Sequence, residues 1–360
     1  MFYLLSSLFF CAVLFAKSVA LDVYVSNDFT SAQCTTTERN CPDIASALDI
    51  STSYSTVYLY AGVYSGPGNA NICIGQCVNL KGVTLTGLSG AGDVILASEN
   101  VPFADSVAIY IFDNTITRIA NITIQDYSNT LSTEPNKAGA MEVVNSKVLF
   151  ENVVFQNNSG VIGGAMHVTN SSVTLNNTMF FRNSARLHGG GLYLLNSNAH
   201  IENCIFHRNN VSTIPANAAG TGGAIYFIGV NDLYLGNSEF LQNNAMRSGG
   251  AVFMQLNSNT GIKSLSGQFT AANCHFKDNS VNGLGNCVYS GTCNARGGAL
   301  FINALSTALS HCVFDGNKAL TSSTTEVPTL LFIFVLLNSL PSQPLSTRVM
   351  RVSVVRCTNF

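Results

Sequence analysis

The stretch from Phe155 to Asn209, FQNNSGVIGGAMHVTNSSVTLNNTMFFRNSARLHGGGLYLLNSNAHIENCIFHRN, states one pattern twice and begins a third statement. Phe-x-x-Asn opens each unit, at Phe155/Asn158, Phe180/Asn183 and Phe206/Asn209, and a glycine pair follows each time. Outward from this stretch the pair of motifs continues without a miss. Phe-x-x-Asn returns at Phe240/Asn243, Phe276/Asn279 and Phe314/Asn317, and Gly-Gly-Ala or Gly-Gly-Gly starts at Gly163, Gly189, Gly222, Gly249 and Gly297. Self-similarity at a fixed period is the signature of a solenoid. After each glycine pair comes a short strand whose first and third residues are apolar: Met166-His167-Val168, Leu192-Tyr193-Leu194, Ile225-Tyr226-Phe227, Val252-Phe253-Met254 and Leu300-Phe301-Ile302. Alternation places those two positions on one face, the core.

One coil therefore reads as strand, polar turn, second strand, then the strand carrying Phe, with a bend expected at Asn and a turn at Gly-Gly that a Cβ would crowd. Residues at one phase of successive coils stack at roughly 4.8 Å. The Phe rings then fill the core and the Asn amides hydrogen-bond up a ladder. The expected class is all-β, a right-handed parallel β-helix with an N-terminal capping helix. Cys204, Cys274 and Cys312 also share a phase, two residues before the repeat Phe. Stacking leaves a buried thiol ladder and a disulfide equally open for them.

The expected organisation is a signal peptide over 1–20, an N-terminal cap over 21–52, the β-helix over 53–320 with its Gly-Gly-Ala and Phe-x-x-Asn repeats from about 138, and an irregular tail over 321–360. Residues 1–16 are almost wholly apolar, and Ser18 and Ala20 suit cleavage after Ala20. Before 138 the short β-runs Thr56–Tyr60, Val83–Leu85, Val94–Leu96, Ile109–Ile111 and Ile122–Ile124 read as earlier coils. Cys41 to Leu48 reads as the capping helix, with Pro42 in its first turn, Asp43 favourable to the dipole and Ile44, Ala47 and Leu48 as its apolar stripe. The apolar run Leu330–Leu337 is too short to span a bilayer.

Composition narrows the function. Charged residues make up 10% of the chain and net charge is −2, which argues against a nucleic-acid partner. Hydrophobic content of 47% argues against disorder. Ten of the eleven cysteines lie beyond Ala20, and the close pairs Cys34/Cys41, Cys73/Cys77 and Cys287/Cys293 suit local disulfides in an oxidising compartment. Sequons at Asn121, Asn157, Asn170, Asn176 and Asn210 are glycosylation candidates for a chain that passes through an endoplasmic reticulum.

The start of the chain, Leu21–Ser26, the Cys41–Leu48 segment and Thr56–Leu59 followed by Ala61–Ser65, resembles the opening of pectin-lyase-like β-helix proteins. The Gly-Gly-Ala and Phe-x-x-Asn pairs resemble the repeats of chlamydial polymorphic outer membrane proteins. The resemblance spans about Leu21 to Leu320. It implies a surface-exposed adhesin passenger in the second family, and polysaccharide lyases or hydrolases among relatives of the first.

Two functional readings stay open. The first is a secreted, extracellular or cell-surface protein, outer-membrane associated if the bacterial resemblance holds, without catalysis, which contacts a polysaccharide or glycoprotein surface. Its site is the middle position of each Gly-Gly strand: His167, Tyr193, Tyr226, Phe253 and Phe301, expected to form an outward aromatic stripe suited to sugar faces. The second is a lyase or hydrolase acting on an acidic polysaccharide. Such chemistry needs a base beside a bound uronate, with calcium as the one cofactor this reading admits, or two to three close carboxylates. Arg182, His207 and Arg208 share one corner and are its catalytic candidates, but no carboxylate cluster completes them. His200 with Glu202 is a further outward pair. The spacing of Cys and His suggests no metal site.

Overall fold

In the central repeat units four left-handed bends turn the chain, and the bends make the fold. The computed structural model describes residues 19–76, 78–98, 106–113, 116–130, 137–212, 220–256, 267–282, 297–320 and 332–333. In the coil that starts at Gly163, φ is positive at Gly163, Asn170, Asn177 and Arg182, and each of these residues ends one strand and turns the chain into the next. The same corners recur along the helix, with Asn145, Asn170 and Asn196 at one and Asn121, Asn152, Asn177, Asn203, Asn237 and Asn273 at another. Asn tolerates this conformation better than other residues with a Cβ, which is why so neutral a chain carries so much of it.

Between bends the chain is extended. Successive coils pair parallel and in register to give four sheets among the described residues, of eleven (sheet A), nine (sheet B), nine (sheet C) and six (sheet D) strands. In one coil, Met166–Thr169 belongs to sheet C, Ser172–Asn176 to sheet A, Met179–Phe181 to sheet B and Ser184–His188 to sheet D. Parallel strands joined by such crossovers are right-handed. The protein is a right-handed parallel β-helix.

Its core is a set of columns. The rings of Phe155, Phe180, Phe206, Phe240, Phe276 and Phe314 stack with centroids 4.7–5.0 Å apart. Asn158, Asn183, Asn209, Asn243, Asn279 and Asn317 run beside them at 0–2% exposure. Asn209 shows how a buried amide is satisfied. Its Oδ1 accepts from the backbone N–H and the Nδ2 of Asn183, both at 3.1 Å, and its Nδ2 donates to Phe180 O at 2.9 Å and Asn243 Oδ1 at 3.0 Å. That is the full capacity of a carboxamide. The bend lies one residue earlier than the sequence pattern predicts, at Asn157, Arg182, Arg208, Gln242, Asp278 and Gly316. A residue at the bend points to solvent, whereas the Asn after it turns inward.

The two glycines of each pair differ in purpose. Gly189 has φ +64°, a left-handed corner, whereas a Cβ on Gly190 would lie 2.2 Å from the carbonyl oxygen of Gly223 in the next coil. The first supplies a bend and the second lets two coils approach.

At the N-terminal end, Asp22–Val25 pairs with Thr56–Leu59 as part of sheet A, and Asn40–Cys41 adds a parallel strand outside it. The capping helix is Ile44–Ile50, with Ile44, Ala47 and Leu48 buried. Asp43 is its N-cap, accepting from the Ser46 N–H, so Pro42 precedes the helix rather than opening its first turn. Cys34 and Cys41 form a disulfide in this region. Cys73 is disulfide-bonded as well. Cys77, Cys287, Cys293 and the signal segment before Val19 lie outside the described residues. Of the tail, Phe332–Ile333 pairs parallel with Leu300–Asn303 in sheet C. No helix among the described residues is long and apolar enough to cross a membrane.

Candidate functional site

The outer face of sheet C carries one uninterrupted column of chemistry-bearing side chains. In register, coil by coil, it runs Cys73, Tyr110, Glu142, His167, Tyr193, Tyr226, Phe253, Phe301. The residues on either side of it in each strand, such as Leu192 with Leu194 and Ile225 with Phe227, are fully buried in the core. Alternation along the strand therefore sends the column outward.

Stacking changes what the column can present. Tyr193 and Tyr226 stack at 5.0 Å, as do Tyr226 and Phe253, and Phe253 and Phe301, with interplanar angles of 3–16°. Rings one strand apart and parallel cover each other's faces. Tyr226 and Phe253 are accordingly only 8% and 7% exposed. The expected open aromatic stripe of Tyr193, Tyr226, Phe253 and Phe301 is thus a ladder that shows edges, not faces. The ladder breaks at His167, whose ring meets Tyr193 edge-on at 80°.

From that break the column becomes polar. His167 Nε2 lies 2.9 Å from Thr169 Oγ1. Beyond it, Lys137 and Glu142 form an ion pair at 4.0 Å with side chains only 9% and 16% exposed. Lys137 Nζ donates to the Tyr110 hydroxyl at 2.7 Å. Tyr110 stacks with Phe112, and both line a shallow cleft of about 490 Å³ with Cys73 and Gln76. One charge of each sign, two hydroxyls and an imidazole thus stand side by side over three coils.

A β-bulge adds one more group. Between Gly160/Ala185 and Ile162/His188 the register of sheet D shifts, so that Val161 faces both Arg186 and Leu187. The bulge turns His188 towards the aromatic column, where its ring stacks on Tyr226 at 4.5 Å and its Nδ1 lies 2.8 Å from Thr221 Oγ1. Burial lowers the His188 pKa from 6.5 to about 4, so the imidazole is neutral at ordinary pH. Burial also raises the pKa of Tyr193 and Tyr226. Tyr110, Lys137, Glu142 and His188 escaped the sequence reading. The signal for two of them was present: carrying the phase of His167 back through Ala138-Gly139-Ala140 reaches Glu142, and one coil further reaches Tyr110.

The other sequence candidates lie on other faces. Arg182 and Arg208 occupy neighbouring left-handed corners, with φ of 54° and 57°. The guanidinium of Arg182 sits over the Phe181 ring, and Arg208 Nε donates to Gln242 Oε1 at 2.9 Å. His207 Nε2 lies 3.4 Å from the same Gln242 oxygen. No carboxylate is among these partners. On sheet A, His200 stacks on Tyr234 at 4.5 Å and its Nε2 is 3.7 Å from Glu202. Glu202 also accepts from Tyr234 and Asn237, so this cluster satisfies itself. Among the described residues no group of three or more His, Cys, Asp or Glu side chains could hold a metal ion. Of the sequons, Asn157 and Asn170 are exposed, whereas Asn121 donates to Thr86 and Gly87, Asn176 accepts from Asn203 and Asn210 accepts from Asn244.

No protein-family model matches the sequence, and no curated protein matches it. Similar solved structures are a pectin methylesterase in complex with a hexasaccharide, with 11% identity, a TM-score of 0.46 and coverage of 85% of this chain and 92% of that one. A deglycosylated pectin methylesterase from Aspergillus niger has 12% identity, a TM-score of 0.30 and coverage of 86% and 92%. The catalytic domain of a GH87 alpha-1,3-glucanase in complex with nigerose has 12% identity, a TM-score of 0.26 and coverage of 76% and 64%. At these identities and scores none of them assigns a site or an activity to this chain.

Proposed function

We propose that this protein is a secreted or cell-surface β-helix that binds a glycan or glycoprotein without altering it, and that the contact centres on Tyr110, Lys137, Glu142, His167 and Tyr193. The observation that carries the reading is the change in the sheet C column from stacked apolar rings to partly buried hydrogen-bonding groups. Neighbouring groups along the column stand about one strand spacing apart, roughly 4.8 Å, a distance comparable to one sugar residue in an extended chain. Hydroxyl, carboxylate, ammonium and imidazole groups at that interval suit the hydroxyls of successive sugars, and the half-buried Tyr193 ring bounds them where the ladder breaks.

Absence of chemistry is part of the proposal. Glu142 has a cation for its neighbour rather than a second carboxylate, and hydrolysis of a glycosidic bond uses two acids. Secretion accords with the Cys34–Cys41 disulfide. A surface role in adhesion or matrix contact is also what the Gly-Gly-Ala and Phe-x-x-Asn resemblance implies.

The test is retention of the purified protein on a panel of neutral and acidic polysaccharides, with and without calcium, together with a measurement of new reducing or unsaturated chain ends. Retention on at least one polymer with no new ends is the expected result. New ends on any polymer would overturn the non-catalytic reading and turn attention to Arg182, His207 and Arg208. Failure to bind every polymer would overturn the glycan assignment.

A further inference from the structure

We propose that Cys274 and Cys312 form a paired-thiol site that oxidises to a disulfide and staples two neighbouring coils near the C-terminal end of the described helix. Both are buried thiols in the structure, 1% and 7% exposed. They occupy one phase of the repeat, that of Thr178, Cys204 and Ser238. Each of these five side chains lies against the carbonyl two residues before it. Thiol and hydroxyl are interchangeable at this corner, so the phase needs a small weak donor and nothing more. What sets Cys274 and Cys312 apart is adjacency. The strands on both sides of them pair in register, Ala272 with Ser310 and His275 with Val313, so the two residues are direct neighbours across the coils. In-register parallel strands lie about 4.8 Å apart, within the span of roughly 4.4–6.8 Å over which Cα atoms are bridged by a disulfide.

Cys204 is an internal control. Its neighbours across the coils are Thr178 and Ser238, since Ile205 N–H donates to Thr178 O and Cys204 N–H to Ser238 Oγ. It has no thiol to meet. Burial raises its thiol pKa to about 12. In the pair, the contact between the two sulfurs holds the Cys312 thiol below its ordinary value, whereas Cys274 is pushed up by the same contact and by burial. Cys312, the more exposed of the two, is therefore the sulfur placed to supply the thiolate that thiol–disulfide exchange requires.

The oxidant is a low-molecular-weight disulfide. The Cys312 thiolate attacks one of its sulfurs, an S–S bond forms, and one small thiolate leaves and takes up a proton. Cys274 then loses its proton and attacks Cys312 Sγ, and the second small thiol leaves. Two protein thiols are oxidised and one small disulfide is reduced to two thiols.

The full-length protein, reduced and then incubated with glutathione disulfide, would be denatured, alkylated and mapped by mass spectrometry. Alkylation of Cys274 and Cys312 should be lost together, with a linked peptide pair lighter by two hydrogens, whereas Cys204 stays fully alkylated. In Cys274→Ser, Cys312 should stop as a stable glutathione adduct, and in Cys312→Ser, Cys274 should remain a thiol. The proposal is overturned if both residues stay alkylated in the wild type, if Cys312 keeps its glutathione with Cys274 present, or if Cys204 oxidises to the same extent.

Discussion

Two columns of stacked rings run along this helix, one inside and one outside. The inner column is Phe at six successive coils, and its rings are spaced 4.7–5.0 Å apart. The outer column on sheet C keeps a spacing of 5.0–5.1 Å but changes from Phe301 and Phe253 through Tyr226 and Tyr193 to His167, and then to Glu142 and Tyr110. Backbone register imposes the same spacing on both. The core accepts one shape at that phase, so the inner column is uniform. Outside, where no neighbour dictates the residue, the chemistry is graded, and a gradient of that kind is where function can be written.

The contrast predicts unequal sensitivity. Phe206→Ala removes a ring packed between two others and is expected to cost about 3–5 kcal/mol in urea unfolding. Tyr193→Ala, half-buried in the outer column, should cost clearly less; equal losses would make both columns structural. Asn209→Ala strands the Asn183 N–H, the Asn183 amide and the Phe180 carbonyl, and is expected to cost about 3 kcal/mol or more. A neutral result there would mean that water replaces the ladder bonds.

A smaller effect tests the bulge. The folded-state pKa of His188 is depressed to about 4 from 6.5, so the native state disfavours the charged imidazole. The stability this represents is complete above pH 6.5 and is lost as pH falls towards 4, at most about 3 kcal/mol in all. Unfolding midpoints measured across that window should fall in the wild type and fall less in His188→Gln. Parallel slopes would place His188 in a more solvated setting. The smallest effect expected is at Arg208, where Arg208→Gly relieves a left-handed backbone and should change stability by less than about 1 kcal/mol, in the stabilising direction. A larger loss would show that its bond to Gln242 holds the corner.

The fold was legible because repetition is a sequence property. Phe, Asn and Gly-Gly at fixed phase demand stacked coils, and Ile44, Ala47 and Leu48 marked the capping helix. Two features were not legible. The bend falls on Arg182 and Arg208, residue types that give no hint of a left-handed conformation. The closure of the aromatic stripe follows from register, since rings that repeat at one phase must hide each other's faces, and a list of exposed positions does not contain that. The bulge that turns His188 towards the aromatic column does leave a trace, an extra residue between Phe180 and Gly189 compared with Phe155 and Gly163.

The division between a column that holds and a column that binds is tested most directly by Glu142→Gln. This change keeps the shape of the side chain and removes the charge facing Lys137. The measurement is the affinity for whichever polysaccharide the wild type retains, taken beside the thermal unfolding midpoint. Loss of a hydrogen bond to a charged group should weaken binding by about tenfold or more at a temperature where the variant is still folded, and the midpoint should fall as well because Lys137 loses the counter-ion of a largely buried pair. Unchanged affinity in the folded variant would contradict the account.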